Sequence, residues 1–210
     1  MASVVVATPN DIKQRLMDGN KRYVADIEDL DSSKDLRIKV VAGQQPFAII
    51  LSCADSRVVP EMIFDCNIGE LFVIRVAGNI ANKCSIASIE YAVAHLGCKL
   101  IFVLGHQSCG AVTAAVNNNG KDNGSTNLNH LCSHIEEAVK TSSKSACIDD
   151  VVKLNAIINA NNLIKNSNII QNNVKNKNLE ICAGYYSLSN GHVDIFSNTN
   201  QDGLNVNNTS

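Results

Sequence analysis

Phe47-Ala48-Ile49-Ile50-Leu51-Ser52-Cys53-Ala54-Asp55-Ser56-Arg57 is the stretch whose reading decides the fold. The nearly continuous apolar run from Phe47 to Cys53 is the pattern of a strand buried on both faces, as in a parallel sheet. Leu71-Phe72-Val73-Ile74-Arg75-Val76 repeats that pattern, and so does Leu100-Ile101-Phe102-Val103-Leu104-Gly105. The first run ends in Cys53, followed by an acid and a base. The last ends in His106-Gln107-Ser108-Cys109-Gly110. Two strand ends of one parallel sheet can therefore deliver two sulfurs and one imidazole to a single point.

Outward from these runs, Val59 to Phe64 predicts a short crossover helix, and Gly78 with Asn79 a turn. Ser85 is expected to cap a helix carrying Ile86, Ile89, Val93 and Leu96 on one face, with Gly97 just past its end. Strand, helix, strand in that order is a βαβ unit with a right-handed crossover. Small residues after Cys109 (Gly110, Ala111, Ala114, Ala115) open another helix. Upstream, Thr8 caps a helix with Pro9 at its first position, and Ile12, Leu16 and Tyr23 form its stripe out to Ala25. A polar segment from Asp26 to Lys34 and a short surface helix or loop lead to Gly43. Downstream, Asn117 to Thr126 reads as a loop, and Leu128 to Lys140, Ile148 to Lys165 and Ser167 to Lys175 as helices. Leu179 to Tyr186 is a late strand; after the turn Ser189-Asn190-Gly191, His192 to Phe196 returns antiparallel at the sheet edge. The polar chain from Ser197 is expected to be poorly ordered unless a neighbouring subunit holds it. The expected class is α/β: a mostly parallel central sheet flanked by helices, with an N-terminal helical arm (1–43), an antiparallel edge strand near the C-terminus and a polar tail (198–210), all in one domain over 1–210.

The length of 210 residues suits that single domain. A formal net charge of −2 gives no reason to expect nucleic acid or a membrane surface as partner. The apolar run at Val4-Val5-Val6 has no basic flank and is too short for a secretion signal, and no stretch is long enough to span a bilayer, so the cytosol is the expected location. Eight cysteines in such a chain do not predict a disulfide framework. Cys66, Cys84, Cys98, Cys132, Cys147 and Cys182 lack metal-ligand spacing and read as small buried hydrophobes. The asparagine clusters at Asn117–Asn129 and Asn155–Asn178 read as loops and polar helix faces, not as a site.

Two Cys, one His and a free fourth position form the pattern of a catalytic zinc site, whereas structural zinc has four closed protein ligands. Two thiolates make a metal-bound water less acidic than three imidazoles would, and the helix start after Cys109 offsets this with partial positive charge. Asp55 can reach the fourth metal position or accept a hydrogen bond from a bound hydroxide. Arg57 can hold its carboxylate in a two-pronged pair, or the two can simply stiffen the turn. If Arg57 wins, the fourth position is open, and raised pH favours that state. His130 and His134 share a helix face, but no third ligand supports them and Cys132 points elsewhere; they read as a solvated or packed face. His95 reads as a helix C-terminal residue and His192 as a surface strand residue.

From Gln44 to Val112 the chain resembles the β-class carbonic anhydrases. The resemblance is carried by Cys53-Ala54-Asp55-Ser56-Arg57, Gly69 to Arg75, Ala77-Gly78-Asn79, Glu90-Tyr91-Ala92-Val93 and Gly105 to Gly110. It implies one zinc per subunit on Cys53, His106 and Cys109, with Asp55–Arg57 as the catalytic dyad. The implied reaction is reversible hydration of carbon dioxide to bicarbonate and a proton through a zinc-bound hydroxide. Gln44, Phe72, Tyr91 and Gly110 correspond to substrate-binding positions; from the residues alone, Phe72 and Tyr91 would be core. The family pairs subunits with active sites at their interface, so a homodimer or a dimer of dimers is implied, with the N-terminal helix wrapped on the neighbour. Family members with a regulatory bicarbonate site carry a tryptophan where this chain has Ile50, so that inhibition is expected to be absent. Two alternatives keep the same cluster: hydrolysis of carbon disulfide or carbonyl sulfide, and zinc binding without turnover.

Overall fold

The computed structural model describes residues 7–31, 33–118, 121–200 and 203–204. Thr8 opens helix α1 (Pro9–Val24) with a reciprocal cap: its hydroxyl accepts from the Asp11 amide at 3.2 Å, and the Asp11 carboxylate accepts from the Thr8 amide at 2.8 Å. Next come α2 (Lys34–Lys39), β1 (Ala48–Ser52), α3 (Pro60–Ile63) and β2 (Leu71–Arg75). A 3-10 turn at Ala77–Asn79 leads to α4 (Lys83–His95) and β3 (Leu100–His106). Helices α5 (Gly110–Asn118), α6 (Thr126–Ser133), α7 (Glu136–Thr141), α8 (Ile148–Asn166) and α9 (Asn168–Lys175) precede β4 (Glu180–Tyr186), β5 (Val193–Asn200) and β6 (Gly203–Leu204).

The strand order is β2-β1-β3-β4-β5-β6. β1 to β4 are mutually parallel, and β5 runs antiparallel on β4. The chain leaves β1 for β2, then crosses back over β1 to β3. The direction of winding therefore switches between β1 and β3, and their carboxyl ends lie side by side, with Ser52 opposite Leu104.

Period-two alternation sorts the strand residues onto two faces. Ile49, Leu51, Ile101 and Val103 meet α4, α8 and α9. Ala48, Ile50, Phe102 and Leu104 meet Ile12 and Leu16 of α1 and Ile63 and Phe64 from the β1–β2 crossover. Each fully buried Ile or Leu contributes about 1.5–3 kcal/mol, so these two faces dominate the stability. A third cluster over the carboxyl ends joins Cys53, Ile80, Cys109, Val112, Ile135 and Val152.

The expected arm is docked on its own chain. A Cβ at Gly19 would stand 1.9 Å from the Phe64 carbonyl oxygen, so α1 rests directly on main chain there. Asn20, only 2% exposed, donates to the carbonyls of Ile63 (3.1 Å) and Gly191 (2.8 Å) and accepts from the Val193 amide (2.9 Å). These contacts fix α1 on its own sheet.

Several local expectations are corrected. The helix after the turn is capped by Asn82, whose side chain accepts from the Ser85 amide at 2.9 Å; Ser85 lies inside the first turn. The segment Leu128–Lys140 is two helices, broken where Ile135 turns fully buried into the third cluster. α5 continues to Asn118, into the expected loop. β5 continues through Ser197 to Asn200, because pairing with β4 uses backbone groups and tolerates polar residues. Of the rest of the expected tail, 201–202 and 205–210 lie outside the described residues. Cys66, Cys98 and Cys182 are buried as read, but Cys84 and Cys147 are exposed and Cys132 is half-buried. No helix among the described residues is long and apolar enough to cross a membrane.

Candidate metal centre

Cys53 is the first residue past β1, His106 is the last of β3, and Cys109 immediately precedes α5. Ser108 returns the chain between them with φ +55°, and its amide donates to Asp149 Oδ1 at the start of α8 at 3.3 Å. The ligand atoms of Cys53, His106 and Cys109 lie within 4.8 Å of one another, all three residues buried. They occupy the crevice beyond the carboxyl strand ends at the switch point, the usual place for a ligand in an open α/β sheet.

The donor set fits zinc. His106 Nδ1 donates to the Gln107 carbonyl at 2.9 Å, which leaves the lone pair on Nε2. Nε2 is buried with no hydrogen-bond partner, a costly state for a polar atom that a bound cation would relieve. Cys53 Sγ accepts from the amides of Asp55 and Gly78, each at 3.4 Å. Hydrogen bonding from the Cys109 thiol, against the opposing effect of burial, holds Cys53 well below an ordinary thiol; the same contact, together with burial, pushes Cys109 up. Amides of Val112 and Ala111 at the start of α5 act on Cys109 in the opposite direction. One negative charge is thus readily housed beside the Nε2 lone pair. Two sulfurs and one imidazole nitrogen of the ligating tautomer are the donors tetrahedral zinc takes.

Asp55 flanks the cluster under Arg57's control. Arg57 Nε donates to Oδ1 at 2.9 Å, Nη2 to Oδ2 at 2.8 Å, and the Arg57 amide to Oδ1 at 3.0 Å. These bonds hold the Asp55 carboxyl well below the usual carboxylate range. Oδ2 stands 4.0 Å from His106 Nε2. From β2, Arg75 braces the same turn through the carbonyls of Cys53 (3.3 Å) and Asp55 (2.7 Å). Sequence reading gave Arg75 no role of its own; a cation closing an otherwise apolar strand was the available signal.

The expected substrate residues are dispersed within one chain. Gly110 adjoins the cluster at the start of α5, with no atom within 4 Å of where a Cβ would stand. Gln44 is exposed and lines an open cavity of about 510 Å³ with Lys39, Val40, Asn67 and Glu70. Phe72 and Tyr91 meet at a centroid distance of 6.3 Å, and Phe72 packs on the face under α4 and α8, not with Cys53. His95 ends α4 against Tyr91, and His192 is exposed just before β5. His130 and His134 meet edge to face at 4.9 Å, and Cys132 takes Asn123 Nδ2 at 3.6 Å, with no third metal donor joining the two histidines among the described residues.

An α/β protein with a buried Cys-His-Cys cluster at its switch point is the class this geometry defines. The family model for carbonic anhydrase matches residues 48–193, and the chain belongs to that family, in its β class. It is 51% identical over 102 residues to carbonic anhydrase 2 of Mycobacterium tuberculosis, covering 48% of this chain and 49% of that one. The chain thus spans about half the length of that curated relative. With the carbonic anhydrase of Pseudomonas aeruginosa it shares 30% identity over 190 residues, covering 85% of each. The solved structure of a Coccomyxa β-carbonic anhydrase in complex with acetazolamide superposes with a TM-score of 0.71 at 26% identity, covering 87% of this chain and 85% of the other.

Proposed function

We propose that the chain catalyses the reversible hydration of carbon dioxide to bicarbonate and a proton, with zinc held by Cys53, His106 and Cys109. The observation that carries this reading is the buried, partnerless Nε2 of His106 beside two buried sulfurs. Zinc held there would act as a Lewis acid and bring the pKa of a water on it toward neutrality. Asp55, fixed by Arg57 through both oxygens, accepts the hydrogen bond of the attacking water and orients it toward carbon dioxide. Released by Arg57, the same carboxylate would reach the cluster and shut it. Asp55–Arg57 is therefore the catalytic dyad and the gate. Metal analysis combined with stopped-flow carbon dioxide hydration tests the reading; a chain purified with stoichiometric zinc that leaves the hydration rate at the buffer value would sink it.

Gln44, Phe72 and Tyr91 then serve as substrate-binding residues across a subunit interface, together with Gly110. Support comes from their separation from the cluster within one chain and from the exposed apolar side chains of Ile38, Val41, Ile68 and Tyr91. A homodimer is the smallest assembly this requires. Ile50 is fully buried in β1, and bicarbonate inhibition of the tryptophan-dependent kind is absent in this reading. Eight free thiols suit the reducing cytosol.

A further inference from the structure

Helix α8 carries Asn155 and Asn159 one turn apart on the same face, 0% and 1% exposed. An unpaired buried amide is costly, and here the nitrogen and the oxygen of both side chains are partnered. Asn159 Nδ2 donates to Asn155 O at 2.9 Å and to Asn155 Oδ1 at 3.0 Å. Asn159 Oδ1 accepts from the Ala81 amide at 2.7 Å, and Asn155 Nδ2 donates to the Gly78 carbonyl at 2.9 Å. The ladder thus grips both ends of the segment Gly78–Ala81. That segment gains from being held, because Asn79, a residue with a side chain, has a positive φ of +45°, and such backbone persists where its surroundings over-determine it. A Cβ on Gly78 would lie 2.8 Å from Ile135 Cδ1. The Gly78 N–H meets Cys53 Sγ at 3.4 Å.

We infer that Asn155 and Asn159 are positioning residues for Cys53: through the Gly78 turn they aim a backbone N–H at the sulfur and fix its place in the donor set. The inference rests on the zinc reading of the cluster. A hydrogen bond to a metal-bound sulfur draws off charge and holds the ligand's orientation. Gripping the Gly78 carbonyl fixes the peptide plane that follows the donating one. The burial of Asn155 and Asn159 sets these two apart from the loops and polar helix faces read for the Asn155–Asn178 cluster.

Two measurements on the full chain test it. In wild type loaded with an NMR-active cadmium isotope, the Gly78 amide proton shows scalar coupling to the metal across Cys53 sulfur. Zinc-loaded Asn155→Leu loses zinc to a competing chelator faster than wild type, by about tenfold, and its cadmium form loses the Gly78 coupling. Asn166→Ala, exposed on the same helix and outside the ladder, leaves both unchanged. Should Asn155→Leu fail to fold, Asn159→Leu is read in the same way, and the wild-type coupling stands by itself. Absent coupling in metal-loaded wild type, or unchanged zinc loss in a folded ladder variant, overturns the inference while leaving the zinc reading intact. A wild-type chain that takes up neither metal overturns the zinc reading and this inference with it.

Discussion

Arg57 holds both carboxylate oxygens of Asp55, and the oxygen nearer the cluster, Oδ2, stands 4.0 Å from His106 Nε2. Removing the carboxylate should therefore affect chemistry and not metal retention. Asp55→Ala is expected to lower carbon dioxide hydration by about a hundredfold or more, the range for a positioned proton acceptor, with zinc content unchanged. Turnover equal to wild type in that variant would refute the assigned role.

Cys53→Ser and Cys109→Ser each replace a buried sulfur, which zinc would bind as thiolate, by a neutral hydroxyl, a poor zinc ligand at neutral pH. Both are expected to be purified with much less than one zinc per chain, and metal analysis against wild type decides it. Stoichiometric zinc in both variants contradicts the ligand assignment.

Asn20→Ala strands the Val193 amide and the carbonyls of Ile63 and Gly191 in a buried place. The expected loss is about 2–4 kcal/mol of unfolding free energy, since desolvated polar groups then lack partners. Urea titration measures it; a loss under about 1 kcal/mol would show that water reaches these groups and replaces the side chain.

Alkaline pH should weaken the fold through its buried thiols. Burial pushes Cys98 up to about 11 and Cys66 up to about 12, while an unfolded chain's thiol ionises near about 8.5. Between those values the unfolded state has lost the proton and the folded state keeps it. The folded state therefore binds more protons, and stability falls as pH rises. The contribution is fully present below about pH 8.5 and declines toward about pH 11–12. Cys98→Ala is expected to flatten the alkaline decline of the urea midpoint; a decline as steep as wild type would rule out this source.

The sheet was legible because strands buried on both faces leave uninterrupted apolar runs, and the Cys-His-Cys cluster because Cys53, His106 and Cys109 stand at or just past strand ends. Local competition hid the details. Asn82 and Ser85 can both cap, and the side chain that does so is that of Asn82. The α6–α7 break follows from Ile135 entering the cluster over the strand ends, a tertiary demand that leaves helical periodicity unmarked. Arg75 and Asn155 escaped notice for a shared reason: they act on main-chain atoms far away in sequence, and main chain has no letter in a sequence. The substrate role of Gln44, Phe72 and Tyr91 rests on family resemblance, and the three are separated from the cluster in a single chain.

Asn20 ties α1 to Gly191 and Val193, 171 and 173 residues further along the chain. During translation Ile12 and Leu16 can be covered by β1 and Phe64 early, but the Asn20 bonds wait for residues 191–193 to emerge. Contacts of such sequence separation close slowly, so the helix is latched in two stages, its apolar face first and its polar bonds late.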